Sequence, residues 1–273
     1  MLVLALDTST PIVTAGAVEL KRPHEMLAEA RQAAPGEPAR RPAGGDADDH
    51  GTGSRAFLAG VPYRTLAERT VDDAFGHAEH LMPLTEAALA EAGRELREVE
   101  AVVVGIGPGP FTGLRVGMAT AEALGDALDV PVHGVPSHDA MARRAASGGE
   151  FLVVTDARRR EVYLSAYEES VVRRVGPVVI APAAIAELLS EHGFAPRWLT
   201  GPGAHLAAAA TGLPVREPAG PLSEHLVACA ARALLTGALP GPLTPLYLRR
   251  PDATPPGAPK PVLPQDEPNG ARR

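Results

Sequence analysis

The alternation of apolar and polar positions begins with an apolar run, Leu2 to Leu6, that predicts a strand. A β-rich run from Ile12 to Leu20 predicts its hairpin partner across the polar turn Asp7-Thr8-Ser9-Thr10. The pattern is lost from about residue 21 to residue 64, where Pro35 to Ser54 holds eight Gly or Pro in twenty residues and almost nothing apolar. That stretch predicts a largely disordered surface insertion. A third strand is expected over Thr65 to Val71, and a helix opens at His77-Ala-Glu-His-Leu-Met-Pro and runs to about Ala92. Ala101 to Val104 suits a strand buried on both faces. Gly105, Gly107 and Gly109 then interleave with Pro108 and Pro110, which demands a tight turn. Thr112 is the expected helix N-cap, and Leu114, Met118, Ala121, Leu124 and Leu128 recur at helical spacing up to Asp129.

The second half repeats the theme of strand, turn and helix. Strands are expected at Val130 to Val135, Phe151 to Thr155, Val162 to Tyr167 and Trp198 to Thr200, and helices from Ser137 to about Ala146, Pro182 to Ser190 and Ser223 to Leu235. A second glycine turn stands at Gly201-Pro-Gly-Ala. The length has room for two domains, expected over residues 1–135 and 136–250, with residues 251–273 and their seven prolines as a disordered tail.

Composition narrows the setting. The 273 residues are 45% hydrophobic, enough for a core in each lobe, and the net charge of -7 excludes an extended basic surface that grips nucleic acid unaided. Cys229 stands alone, so neither an internal disulfide nor a cysteine zinc site is available, and its apolar neighbours predict a buried thiol. No apolar run approaches the ~20 residues of a membrane span, and Met1 leads directly into a strand; a cytoplasmic protein is expected.

The candidate chemistry sits at strand ends. The glycine loop before a helix has the form of an anion cradle. It lacks the Lys and Ser/Thr of a Walker loop, since Leu114 and Arg115 follow Gly113, and the glycine spacing of a dinucleotide fingerprint is not met. Asp7 with three hydroxyls could hold a phosphate or cation, or could form a turn closed by short polar side chains. His77 and His80 share a helix face but are three apart rather than four, and capping or packing competes with metal binding. Arg158 to Arg160 lie at a hairpin tip, suited to phosphate or RNA contact or to solvation.

Taken together, LALDTST at Leu4 to Thr10, HAEHLMP at His77 to Pro83, GIGPGPFTGLRVG at Gly105 to Gly117, DARRREVY at Asp156 to Tyr163 and PLYLRR at Pro245 to Arg250 resemble the TsaB (YeaZ) family. The resemblance implies an actin-like ATPase fold of two related lobes and a non-catalytic role in making threonylcarbamoyladenosine next to the anticodon of tRNA. It implies a TsaD-like catalytic subunit and a TsaE-like ATPase as partners, with tRNA reached only through the complex. It implies no catalytic residue, no metal and no cofactor of the chain's own, ATP or ADP entering only at a complex interface. Asp7, Gly107, Gly109 and Gly201 are then vestiges of a nucleotide site. The family's glycine loop usually has Ser where Pro110 stands, which removes a hydroxyl and an N–H from any anion site. The alternative is an active ATP-dependent phosphotransferase of the same fold; a metal-dependent peptidase using His77 and His80 is more distant.

The helix over residues 112–128 carries more apolar surface than one sheet can cover. Val116, Ala119, Ala123, Leu124 and Ala127 fall on its flanks, and Leu81, Met82 and Leu89 repeat the excess on the preceding helix. These residues are the expected docking surface for the TsaD-like subunit, and for a homodimer in its absence. The competing reading is that each helix covers the other's flank within the chain.

Overall fold

The computed structural model describes residues 1–22, 63–146, 148–217 and 220–249. The expectations for the insertion and the tail fall almost entirely outside these residues. The exceptions are Lys21, Arg22, Tyr63 and Arg64, of which the last two belong to the third strand and pair with Leu20 and Glu19, Tyr63 being buried.

Two sheets share one topology. In the first, β1 (Leu2–Asp7) lies centrally, with β2 (Ile12–Leu20) and β3 (Tyr63–Asp72) antiparallel to one side, and β4 (Ala101–Gly105) and β5 (Val132–Val135) parallel to the other. In the second, β6 (Phe151–Asp156) takes the central place, with β7 (Val162–Tyr167) and β8 (Arg173–Ile180) antiparallel on one side and β9 (Trp198–Thr200) parallel on the other. A single parallel bridge, Leu199 to Val215, stands where the fifth strand would be. This duplication of a mixed sheet is the actin-like α/β fold.

Among the described residues six helices cover the sheets: α1 (His77–Glu91), α2 (Phe111–Leu128), α3 (Ser137–Ala145), α4 (Ile185–Glu191), α5 (Ala204–Thr211) and α6 (Ser223–Thr236). The twofold period of the strands sorts their side chains. Leu2, Leu4 and Leu6 of β1 join Val102 and Val104 in a core with α1 and α2, while Val3 and Ala5 join Ala101 and Val103 in a core with α6. Leu152 and Val154 pack toward α4 and α5, and Phe151 and Val153 toward Met141, Ala142 and Ala145 of α3. The last helix, α6, thus returns to the first sheet, although it follows the second in sequence. Cys229 lies on it, half-buried rather than fully buried, with its thiol pushed up to about 11 by desolvation.

Two elements escaped the sequence reading, β8 and α5, and several boundaries moved, β5 beginning at Val132 rather than Val130. Pro110, not Thr112, is the N-cap of α2: its backbone is extended and its fixed φ leads into the first turn. The segment after Pro182 is a single 3₁₀ turn before α4 begins at Ile185. The third strand extends to Tyr63–Asp72.

Candidate functional site

The end of β1 is closed by the glycine loop that follows β4. Asp7 is fully buried, and both its carboxylate oxygens are occupied. Oδ1 accepts from the backbone N–H (2.8 Å) and the hydroxyl (2.7 Å) of Ser9, and Oδ2 accepts from the Ser137 hydroxyl at 2.5 Å. Thr8 donates to the Gly113 carbonyl at 2.7 Å. A methyl built on Gly105 would fall 1.8 Å from Asp7 Oδ2, one on Gly109 2.2 Å from the Ser9 carbonyl oxygen, and one on Gly117 2.3 Å from Thr8 Oγ1. The glycines therefore serve close packing of loop and helix onto the strand end. Burial raises the Asp7 carboxyl above the ordinary range, against the lowering effect of its hydrogen bonds with Ser137 and Ser9 and the nearby His77. The geometry realises the turn alternative left open by the sequence: a carboxyl held by hydroxyls of the chain itself.

The second sheet repeats the arrangement with other residues. Gly201, at φ +98°, lies against β6, where a methyl would meet the Val154 carbonyl oxygen at 2.4 Å, and Gly203 is as close to Thr155. Both glycine loops thus press on the first strand of their own sheet. Gly107 and Gly109 are brought beside Asp7 and Ser9, whereas Gly201 belongs to the other lobe. Between them α3 acts as a clasp: Ser137 reaches Asp7 of the first lobe, and the next residue, His138, lies between Ser165 Oγ (2.9 Å) and Thr155 Oγ1 (3.0 Å) of the second. Burial drives the His138 pKa down to about 3, with Arg173 adding to the shift, so the imidazole is neutral.

The open ground is at the other turn. A cleft of about 460 Å³ is lined by Gly109, Pro110 and Phe111 of the first lobe, Asp156 to Arg159 and Tyr163 of the second, and Tyr247 to Arg249 of the returning chain. Arg158, Arg159 and Arg160 all have left-handed backbones, at φ 64°, 54° and 62°. Three consecutive non-glycine residues in this region cost about 1 kcal/mol or more each. Asp156 accepts the Arg158 N–H at 2.7 Å, which fixes the turn, and Arg249 pairs with Glu161 beside it. At the rim Phe111 stacks on Tyr247 with ring centres 4.8 Å apart, and Arg115 lies 3.9 Å above Phe111 while donating to the Tyr247 hydroxyl at 3.1 Å. Burial, with Asp156 nearby, raises the Tyr163 phenol above its usual value.

The two histidines of α1 have separate commitments. His77 Nε2 lies 2.9 Å from the Thr10 carbonyl oxygen, and His80 Nε2 lies 3.0 Å from Asp73 Oδ2. Among the described residues no group of three or more His, Cys, Asp or Glu side chains is arranged to hold a metal ion. The docking-surface expectation needs correction at three residues: Leu81, Leu89 and Leu124 are buried in the chain's own core. Leu81 and Leu89 share a stripe with His77 and Thr85, and glycines at 113, 117 and 125 draw α2 so close that a wider arc is covered. Met82 and Val116 are half-buried against the same core, and Ala119, Ala123 and Ala127 remain exposed at intervals of one helical turn. The competing reading, burial within the chain, thus holds for Leu81, Leu89 and Leu124. Ser137, His138, Phe111 and Tyr247 were missed as site residues, although Phe111 and Tyr247 stood inside quoted motifs.

Comparison with known proteins gives a consistent outcome. The family model described as TsaD, tRNA N6-adenosine threonylcarbamoyltransferase, matches residues 73–215. An uncharacterized protein of Mycobacterium tuberculosis is 43% identical over 253 residues, covering 93% of this chain and 94% of that one. The tRNA threonylcarbamoyladenosine biosynthesis protein TsaB of Haemophilus influenzae is 37% identical over 103 residues, 37% of this chain and 41% of that protein. YeaZ from Pseudomonas aeruginosa has the same fold, with a TM-score of 0.57, 23% identity, and coverage of 88% of this chain and 100% of that one.

Proposed function

The chain belongs to the TsaB (YeaZ) family, with a role in tRNA threonylcarbamoyladenosine biosynthesis, and on that premise we propose that it is a non-catalytic subunit that binds and supports a TsaD-like catalytic subunit. The observation that carries this reading is the state of Asp7. In an active phosphotransferase of this fold the strand-end carboxylate would have to face a metal or nucleotide, and here both its oxygens are used by Ser9 and Ser137. The glycine loop leaves no room for even a methyl between itself and the strand end.

The docking surface is the exposed ridge of Ala119, Ala123 and Ala127, flanked by Met82 and Val116. Small side chains at one-turn spacing let a second helix approach closely, as in a helical bundle. The occupant is the TsaD-like subunit, with a second copy of this chain taking its place when the subunit is missing. A TsaE-like ATPase completes the assembly, and ATP or ADP enters at a complex interface. Among the described residues no helix is long and apolar enough to cross a membrane, and the reading places the protein in the cytoplasm.

The test is reconstitution. The purified chain should neither turn over ATP nor modify tRNA, and should restore modification when added to the catalytic subunit. Ala123→Arg puts an unpaired guanidinium into the interface, at a cost of several kcal/mol, so capture of the catalytic subunit should weaken at least a hundredfold while the melting temperature stays within a degree or two. Undiminished capture by the folded variant would refute this surface.

A further inference from the structure

We infer that the arginine turn and the aromatic stack at the mouth of the interlobe cleft form a contact for single-stranded RNA. The inference rests on the tRNA reading above and moves RNA from the complex as a whole onto named residues of this chain. The chain carries a formal charge of -7, yet among the described residues Arg158, Arg159 and Arg249 line this cleft, Arg160 stands in the same turn and Arg115 at the rim, with the carboxylates of Asp156 and Glu161 beside them. A local positive patch on an acidic protein selects a polyanion at one place and repels it elsewhere.

The turn holds its arginines in an unfavourable backbone. Left-handed φ at three successive residues splays their side chains from one tight loop rather than along one strand face, and such strain is concentrated where a fixed presentation matters. Beside it stand two partly exposed rings, Phe111 at 46% and Tyr247 at 38%. They are already stacked, with Arg115 lying on one of them. Unpaired bases are recognised by stacking on aromatic rings and guanidinium planes, with phosphates taken by neighbouring arginines. The cleft volume of about 460 Å³ is that of a small-ligand site, large enough for one nucleotide unit of a loop.

The experiment is fluorescence anisotropy with a labelled anticodon stem-loop RNA over a range of salt concentrations, on the full chain and on its complex with the catalytic subunit. The triple variant Arg158→Asn, Arg159→Asn, Arg160→Asn removes the charges with a residue that tolerates the left-handed region. It should weaken RNA binding at least tenfold. With three phosphates lost at about 0.7 each for single strands, the salt slope should fall by about two. Tyr247→Ala should weaken binding about fivefold or more through lost stacking. Unchanged RNA affinity and slope in the folded triple variant, or binding of AMP in the cleft without any binding of RNA to the parent chain, would overturn the inference. Failure to capture the catalytic subunit would instead count against the proposed function, and the measurement on the full chain by itself still decides the RNA contact.

Discussion

The turn from β1 to β2 and the turn from β6 to β7 occupy the same place in two copies of one topology, and each starts with an aspartate at the end of a central strand. They have opposite fates. Asp7 is sealed among Ser9, Ser137 and the glycine loop, with its carboxyl displaced upward by burial. Asp156 is part-exposed at the foot of an arginine-bearing turn that opens on a cleft. The fold supplies the position, but the neighbouring side chains determine whether it is a cradle or a plug. In the first lobe the Ser9 N–H and the hydroxyls of Ser9 and Ser137 take up the carboxylate oxygens, while Thr8 ties the strand end to the Gly113 carbonyl. In the second, arginines on a left-handed turn keep the strand end open. One α3 residue each, Ser137 and His138, ties down the two halves.

Asp7→Ala breaks the contrast most directly. It leaves two hydroxyls and a backbone N–H without an acceptor inside the core, and should cost about 4 kcal/mol, measured by urea denaturation. Asp156→Ala, which frees a partly solvated turn, should cost less than about 1 kcal/mol. Equal losses would mean that the two turns do the same work. Gly109→Ala probes the seal from the other side, since its methyl meets the backbone of Ser9 and not a movable side chain. An overpacked site of this kind is worth about 3 kcal/mol, or roughly 6–12 °C in melting temperature. A variant melting with the parent would show that the loop stands off the strand.

The clasp gives an effect with a pH signature. His138 takes up a proton near pH 3 when folded, whereas an unfolded histidine does so near 6.5. Between these values the unfolded chain binds more protons, so stability is full above about pH 6.5 and falls as the pH drops toward 3. The loss should be about 3 kcal/mol by roughly pH 4.5. The raised carboxyl of Asp7 acts in the opposite sense, because the folded state holds its proton to higher pH. Comparing the parent with His138→Gln isolates the histidine: the acid limb of denaturation midpoint against pH should flatten in the variant. An unchanged limb would remove His138 as its source.

Much of the architecture was legible in the chain because local geometry leaves local marks. β-branched runs such as Ala101 to Val104, and the apolar period of Leu114, Met118 and Ala121, identify strand and helix without reference to anything distant. Where those marks fade, the reading failed. Arg173–Ile180 pairs with β7 through register shifts and carries an internal Gly-Pro, so it has no clean alternation. Ala204–Thr211 has alanine at five of its eight positions and shows no clear apolar face. The misassignment of Leu81, Leu89 and Leu124 has a different origin. How much of a helix is buried depends on how closely it approaches the sheet, and that distance is set by glycines packing on Thr8 and Val132, contacts invisible from periodicity.

The sequence by itself determined the two α/β halves, the glycine turns that end their strands, and the motifs that mark the family, since each depends on residues within a turn or two of one another. The tertiary structure alone decided which polar groups meet. Ser137 lies 130 residues from the carboxylate it closes, and Arg115 lies 132 from the tyrosine it holds. Partners so far apart are selected by how strands, loops and helices close on each other, and no pattern within one element records that choice.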